Sequence, residues 1–85
     1  MNHHASSAFW DCYRKLPDSI QHLADKNYEL LKHDPEHPSL HYKKVGAYRS
    51  VRVGIAYRAL GVEDGESIVW FWIGSHDEYE RLIYR

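Results

Sequence analysis

The stretch that decides the fold is Tyr48–Tyr79, YRSVRVGIAYRALGVEDGESIVWFWIGSHDEY. Its first part is rich in β-branched and aromatic residues, which favour strands. Gly54 interrupts this part and is typical of a tight turn or a bulge. The pattern therefore predicts two short strands, about 48–53 and 56–62, joined as a hairpin.

The second half of this stretch predicts a turn, a strand and a helix. Asp64-Gly65 is the dipeptide preferred in two-residue turns whose central residues both take positive φ. Residues 68–73 are apolar at every position, so we expect a strand inside the sheet that is covered on both faces. Ser75-His76-Asp77-Glu78 matches a capping box that begins a short helix. The apolar face of that helix consists of Tyr79, Leu82 and Ile83.

Two helices are predicted before this stretch. Ser6-Ser7 caps the first helix, and Pro17 begins a second one, at about 17–33. Their short connection predicts an antiparallel helical hairpin that packs on the sheet. The apolar side of the first is Phe9, Cys12, Tyr13 and Leu16, and that of the second is Ile20, Leu23, Ala24, Asn27, Leu30 and Leu31. Residues 34–39 form a turn, and residues 1–5 are either a short edge strand or an unfolded end.

Length and composition limit the class of protein. Eighty-five residues predict a single domain, 1–85, whose core depends on three Trp, seven Tyr and two Phe. Cys12 is the only cysteine, so an internal disulfide is impossible and a cytoplasmic location is favoured. No apolar run approaches the ~20 residues that span a bilayer, so we expect no membrane association. Cys12 itself is predicted to be a core residue rather than a nucleophile.

Basic residues are concentrated in one segment although the net charge is −1. Between His37 and Val62 there is no acidic residue, and the basic residues are Lys43, Lys44, Arg49, Arg52 and Arg58. This segregation indicates a local site for a phosphate backbone or for an acidic partner. A solvated strand face is an equally good explanation of the charge pattern alone.

The histidines outside the C-terminal region do not predict a metal site. His3 and His4 are adjacent, so on a strand they point to opposite faces, and no further ligand follows at a suitable spacing. His37 and His41 flank the proline-containing turn, where a loop or strand-edge role is favoured over catalysis. No motif for a cofactor is present, and we expect none.

Four residues have side chains suited to catalysis on a phosphate: Arg52, Arg58, His76 and Tyr79. Arginine offers a fork of donors that suits a phosphate and the charge that develops on it in a transition state. Histidine exchanges protons near neutral pH, and tyrosine stacks on bases or donates a proton. The set is compatible with metal-free RNA cleavage by a 2′-hydroxyl, although residue type alone is a weak signal.

The order of these parts resembles the RelE/ParE superfamily of type II toxin–antitoxin toxins over nearly the whole chain. The resemblance rests on Asp34-Pro35, His37-Pro38-Ser39-Leu40, Lys43-Lys44, Ser50-Val51-Arg52-Val53-Gly54, Tyr57-Arg58, Trp70-Phe71-Trp72-Ile73-Gly74-Ser75-His76 and Tyr79. It implies an α+β fold with an N-terminal helical hairpin on a small, twisted, mainly antiparallel sheet and a short C-terminal helix. The opposite face of the sheet would be a concave basic groove.

The resemblance also implies roles for individual residues. RelE-type members are endoribonucleases that cleave mRNA in the ribosomal A site without a metal and so inhibit translation. Arg58 matches the arginine that stabilises the phosphate, and Arg52 matches the basic residue of the preceding strand. His76 would then be a general acid or base, and Tyr79 a proton donor or stacking residue. Lys43, Lys44 and Arg49 are the expected RNA-binding residues.

Two functional hypotheses follow from the resemblance. In the first, the chain is a RelE-like mRNA endoribonuclease whose partners are a cognate antitoxin, the ribosome and mRNA. In the second, it is a ParE-like inhibitor of DNA gyrase, or a member that acts by binding alone. A third, purely structural interpretation makes Tyr79 a core residue of the last helix and His76 a part of the helix cap. Asp77, Glu78 and Glu80 surround the candidate residues of the last helix and disfavour an RNA backbone there.

Overall fold

The computed structural model describes residues 2–84. Three helices, one short 3-10 helix and five strands are present in this range. In chain order they are β1 (Asn2–Ala5), α1 (Ser7–Tyr13), α2 (Asp18–His33), the 3-10 helix (Pro38–Leu40), β2 (Lys43–Val45), β3 (Tyr48–Val53), β4 (Tyr57–Asp64), β5 (Ser67–Ser75) and α3 (His76–Ile83).

The strands form one sheet in the order β1-β5-β4-β3-β2. All neighbouring pairs are antiparallel except β1 and β5, which are parallel. Helices α1 and α2 cover one face of the sheet, and α3 follows β5 directly. The predicted α+β fold, with a helical hairpin on a mainly antiparallel sheet and a C-terminal helix, is confirmed.

The first residues form an edge strand, which was one of the two alternatives from the sequence. β1 pairs with β5 from Asn2 to Ala5, and the Ser6 N–H continues the pairing to the Trp70 carbonyl. Two side chains secure this strand through His3. The Trp70 indole donates to His3 Nδ1 over 3.1 Å, and the Tyr28 hydroxyl donates to the His3 carbonyl over 3.0 Å. β1 is therefore held by tertiary contacts that a local pattern does not reveal.

The turn between β4 and β5 lies one residue later than predicted. Asp64 pairs with Ser67, so the two connecting residues are Gly65 and Glu66 rather than Asp64 and Gly65. Gly65 has a φ of +63°, whereas Glu66 does not take positive φ. This is the arrangement in which glycine occupies the first central position of a primed turn. The prediction that both central residues take positive φ was wrong.

The main core lies between the helices and the sheet. It consists of Leu16, Ala24, Leu31, Leu40, Val51, Val53, Ala59, Ile68, Trp70 and Ile73, with Cys12 packed against it. Leu16 belongs to this core but lies beyond the end of α1, because that helix ends at Tyr13. Cys12 thus occupies the core position expected for it.

β5 is fully buried only on the helical side. A bulge at Leu60/Gly61 aligns Gly61 with Trp70 and Leu60 with Trp72, which leaves Phe71 as the extra residue. A bulge of this kind turns two successive side chains to the same face. Phe71 and Trp72 are partly exposed on the face away from α1 and α2. The strand lies inside the sheet, between β1 and β4, as predicted. The expectation of complete cover on both faces was wrong at Phe71 and Trp72.

Across residues 2–84, no helix combines the length and the apolar character that crossing a membrane would require.

Candidate functional site

The candidate site lies on the sheet face opposite α1 and α2, which we call the arginine face. Directly paired residues of neighbouring strands point to the same side of a sheet. The register therefore assigns one set of side chains to this face: Lys43, Ser50, Arg52, Arg58, Leu60 and Trp72, with Gly74 opposite Arg58. Two of the four residues singled out in the sequence, Arg52 and Arg58, are direct cross-strand partners here.

The two guanidinium groups converge on one backbone acceptor. Arg52 Nε donates to the Gly54 carbonyl oxygen over 3.2 Å, and Arg58 Nη1 donates to the same oxygen over 3.4 Å. Arg58 Nη1 also reaches the carbonyls of Ile55 and Tyr57, at 3.2 and 2.8 Å. The turn between β3 and β4 therefore orients both arginines. Within residues 2–84, all side-chain hydrogen bonds of Arg58 use Nη1.

The electrostatic environment of Arg58 favours an anion. Partial burial and, next, the positive charge of Arg52 lower the pKa of the Arg58 guanidinium from its ordinary value. Tyr79 and Glu80 act in the opposite direction but less strongly. Arginine stays protonated under all practical conditions. Two like charges held side by side thus form a site in which a phosphate or carboxylate relieves repulsion.

His76 is placed at the edge of the arginine face by the start of α3. The Ser75 side chain accepts the Glu78 N–H, and the Glu78 side chain accepts the Ser75 N–H, so the predicted capping box is confirmed. The His76 N–H donates to the Ala56 carbonyl over 2.7 Å, which ties the helix start to the β3–β4 turn. These contacts fix the backbone of His76 beside the loop that orients both arginines.

Glu78 and Glu80, two acidic residues of α3, have partners within the helix or at its cap. His76 Nδ1 lies 3.1 Å from Glu80 Oε1, and its ring stacks on Tyr79 with centroids 6.0 Å apart. Glu78 is engaged in the capping box. Two of the three acidic side chains therefore act within the helix, and Glu80 holds the imidazole of His76 in one orientation.

Tyr79 lies on the buried, apolar face of α3 that the sequence predicts, and not at a position open to a substrate. It is only 4% exposed, and its hydroxyl accepts a hydrogen bond of 3.1 Å from the buried Ser50 hydroxyl. In this position the ring packs α3 onto the arginine face and supports His76. Its face is not open to a base, so the geometry gives Tyr79 a positioning role.

The three expected RNA-binding residues are divided between the two faces of the sheet. Lys43 pairs with Ser50 and therefore shares the arginine face. Lys44 pairs with Arg49 on the opposite side, and Arg49 forms an ion pair with Glu63. The sequence does not show which residues of a strand point to which face of the sheet. It therefore could not separate Lys43 from Lys44 and Arg49.

His41 lies in the candidate site, although its position beside the proline-containing turn favoured a loop or strand-edge role. Its Nε2 lies 3.0 Å from Arg52 Nη1, and its ring is exposed. His37, by contrast, caps the 3-10 helix, since its Nδ1 accepts the Ser39 N–H over 3.2 Å. The register of β2 and β3 identifies His41. Lys43 pairs with Ser50, so the same antiparallel register, extended by two residues, places position 41 beside position 52.

In the part of the chain that the structure describes, no cluster of three or more His, Cys, Asp or Glu side chains has the arrangement of a metal site. His3 is engaged with Trp70, and the backbone of His4 pairs with that of Val69 in the sheet. Neither histidine of this pair is grouped with further ligands.

Comparisons with known proteins agree with this architecture. The sequence profile of the ParE-like toxin domain matches residues 18–81, which is most of the chain. A comparison with curated protein sequences gave no match. The profile covers α2, all the antiparallel strands and most of α3, and hence every candidate site residue named above.

Several solved structures share the fold at low sequence identity. The RelB–RelE antitoxin–toxin complex from Methanococcus jannaschii matches with a TM-score of 0.73 and 17% identity, covering 93% of this chain and 96% of that one. The RelBE2 toxin–antitoxin complex from Mycobacterium tuberculosis gives 0.66 and 19%, covering 88% and 96%. The isolated RelE toxin from Escherichia coli gives 0.63 and 12%, covering 99% and 96%. The match to the family profile and this shared fold lead to one conclusion: the chain belongs to the ParE-like toxin domain family, within the RelE/ParE superfamily of toxins.

Proposed function

We propose that this chain is the toxin of a type II toxin–antitoxin system and that it cleaves mRNA in the ribosomal A site. The reaction is attack of a ribose 2′-hydroxyl on the adjacent phosphate, and it uses no metal cofactor. Translation is inhibited as a consequence. Its partners are a cognate antitoxin, the ribosome and mRNA.

The observation that carries this proposal is the pairing of Arg52 with Arg58. Two converging guanidinium groups offer a doubly positive site to a phosphate and to the extra charge that it gains in the transition state. His76 lies at the edge of this pair and supplies an imidazole, a group that can act as a general acid or base. Lys43 extends the positive charge along the arginine face, and Tyr79 positions His76.

A second function is favoured by the position of Tyr79. This residue is only 4% exposed, and its hydroxyl is bonded to the buried Ser50, so it is not accessible to a substrate. This position suits a protein in which α3 is mainly structural and the arginine face binds an acidic partner. In that case the chain is a ParE-like inhibitor of DNA gyrase, or a member that binds only its antitoxin.

Cleavage of mRNA on purified ribosomes separates the two functions. The mRNA is radiolabelled, a defined codon is placed in the A site, and the rate of strand cleavage is measured with excess protein. We expect cleavage by the wild type and a loss of at least about 100-fold for Arg58→Ala, the size of effect seen when a charge-stabilising donor is removed. Arg49→Ala is the matched control, because Arg49 lies on the other face. If the wild type leaves the mRNA uncleaved but inhibits DNA gyrase, the second function is supported instead.

A further inference from the structure

Two histidines stand at opposite ends of the arginine pair. The row of neighbouring positions across the sheet is Arg52, Arg58 and Gly74. His41 precedes β2 and contacts Arg52 at one end of this row. His76 comes two residues after Gly74 at the other end. A phosphate held between the two arginines would therefore have one imidazole on each side.

The contact with Arg52 defines the proton state of His41 Nε2. A guanidinium can only donate hydrogen bonds, so the 3.0 Å contact requires Nε2 to accept with its lone pair. An imidazole nitrogen with a free lone pair is the form that a general base needs. When Arg52 turns its donors to a bound phosphate, this lone pair becomes available beside the phosphate.

The hydrogen-bond role of His76 is the reverse, because its ring nitrogen donates. The Glu80 carboxylate can only accept, so His76 Nδ1 carries a proton in this contact. The ring is then oriented with Nε2 as the atom that takes and gives the second proton. A carboxylate on the far nitrogen stabilises the imidazolium that a general acid requires. The partners of the two rings thus assign them complementary tasks.

The backbone of His41 also sets this residue apart. Its φ is +46° and its ψ is +43°, and it is the only non-glycine residue with positive φ in the part of the chain described. Residues other than glycine adopt this conformation at an energetic cost, and such residues concentrate at functional sites. The left-handed conformation directs the chain from the 3-10 helix into β2 at the position where the side chain meets Arg52.

We infer that His41 is the general base of the cleavage reaction and that His76 is its general acid, an assignment that rests on the proposed function. His41 Nε2 removes the proton of the 2′-hydroxyl while that oxygen forms its bond to phosphorus. The bond from phosphorus to the 5′-oxygen breaks, and His76 transfers its proton to the departing oxygen. The products are a 2′,3′-cyclic phosphate and a 5′-hydroxyl end.

An mRNA with sulfur in place of the bridging 5′-oxygen shows whether a residue acts as the general base or as the general acid. A thiolate leaves without being protonated, because a thiol is far more acidic than an alcohol. Single-turnover cleavage of the normal and the sulfur-containing mRNA is measured on ribosomes programmed with the same codon. His41→Asn is the preferred variant, because asparagine tolerates the left-handed conformation and can still accept a hydrogen bond from Arg52. His22→Asn, at an exposed position of α2, is the control.

We expect His41→Asn to cleave both substrates at least about 100-fold more slowly than the wild type, in line with the loss of a general base. His76→Ala should be slow on the normal mRNA and recover most of its rate on the sulfur-containing one. Wild-type rates for His41→Asn, or its rescue by the sulfur substrate, would overturn the assignment and leave the proposed function intact. Failure of the wild type to cleave either mRNA would overturn both.

Discussion

Arg52 and Arg58 lie directly opposite each other on β3 and β4 and share the Gly54 carbonyl oxygen as a hydrogen-bond acceptor. Like charges at directly opposed positions of a sheet destabilise it. The fold therefore maintains an unfavourable pair of charges within the candidate site. An anion that binds between the two groups converts this repulsion into binding free energy.

The first prediction concerns a trade between stability and activity at Arg58. Replacing it by methionine removes the repulsion while it keeps an unbranched side chain on the arginine face. We expect the free energy of unfolding in urea to stay within about 1 kcal/mol of the wild type or to rise, because repulsion of this kind costs about 0.2–1 kcal/mol. Cleavage of mRNA should fall at least about 100-fold. A loss of several kcal/mol would show that Arg58 is held mainly for structure.

The second prediction concerns the buried hydroxyl of Tyr79. Tyr79→Phe leaves the Ser50 hydroxyl without its partner, and we expect a loss of about 1–3 kcal/mol in the free energy of unfolding. Because the ring still supports His76, cleavage should change by less than about tenfold. Tyr84→Phe is the control, since Tyr84 is 74% exposed. A large loss of cleavage without a loss of stability would instead make the Tyr79 hydroxyl a catalytic group.

The third prediction concerns Gly74, which pairs with Arg58. A Cβ at this position would lie 2.5 Å from Trp72 Cζ2, so the indole ring would have to move. We expect Gly74→Ala to lower the free energy of unfolding by about 1–3 kcal/mol, the usual cost of overpacking. The near-UV circular dichroism should change with it. Gly65→Ala, which meets no neighbouring atom, should leave that spectrum unchanged although it too is destabilised by its backbone conformation.

The fourth prediction concerns pH. Burial chiefly lowers the pKa of His3 below its ordinary value, in agreement with the Trp70 indole donating to its Nδ1. The unfolded chain therefore takes up this proton first, so the stability contributed by His3 is present above pH ~6.5 and is lost as the pH falls from there through the lower pKa of the folded state. Between pH 7.5 and pH 5.5, the free energy of unfolding should fall less in His3→Gln than in the wild type. His22→Gln, which changes an exposed histidine of α2, is the control. Equal pH dependence in all three proteins would contradict this account.

Much of the fold could be predicted because its signals are local. The strand at 48–53, the helix from Pro17 to His33 and the capping box at Ser75 each depend on residues adjacent in sequence, and all three are present. β1 could not be decided, because its pairing with β5 joins segments more than sixty residues apart. The turn after β4 was displaced by one residue because glycine can occupy either central position.

The candidate site was predicted less completely than the fold. The pairing of Arg52 with Arg58 follows from a hairpin around Gly54, which the sequence indicated. The separation of Arg49 from Lys43 depends on strand register. Tyr79 was placed on the apolar face of α3, but its contact with Ser50 depends on how that helix packs on the sheet. His41 was undervalued because its contact with Arg52 arises only after the 3-10 helix and β2 are placed.

The most direct test of ribosome-dependent cleavage is to map mRNA 5′ ends on translating ribosomes in cells that express the chain. Wild type is compared with Arg58→Ala and with Arg49→Ala, which removes an arginine from the opposite face. The account predicts new 5′ ends at defined positions within codons for the wild type and for Arg49→Ala, and none for Arg58→Ala. Growth arrest by the wild type without new 5′ ends would contradict it.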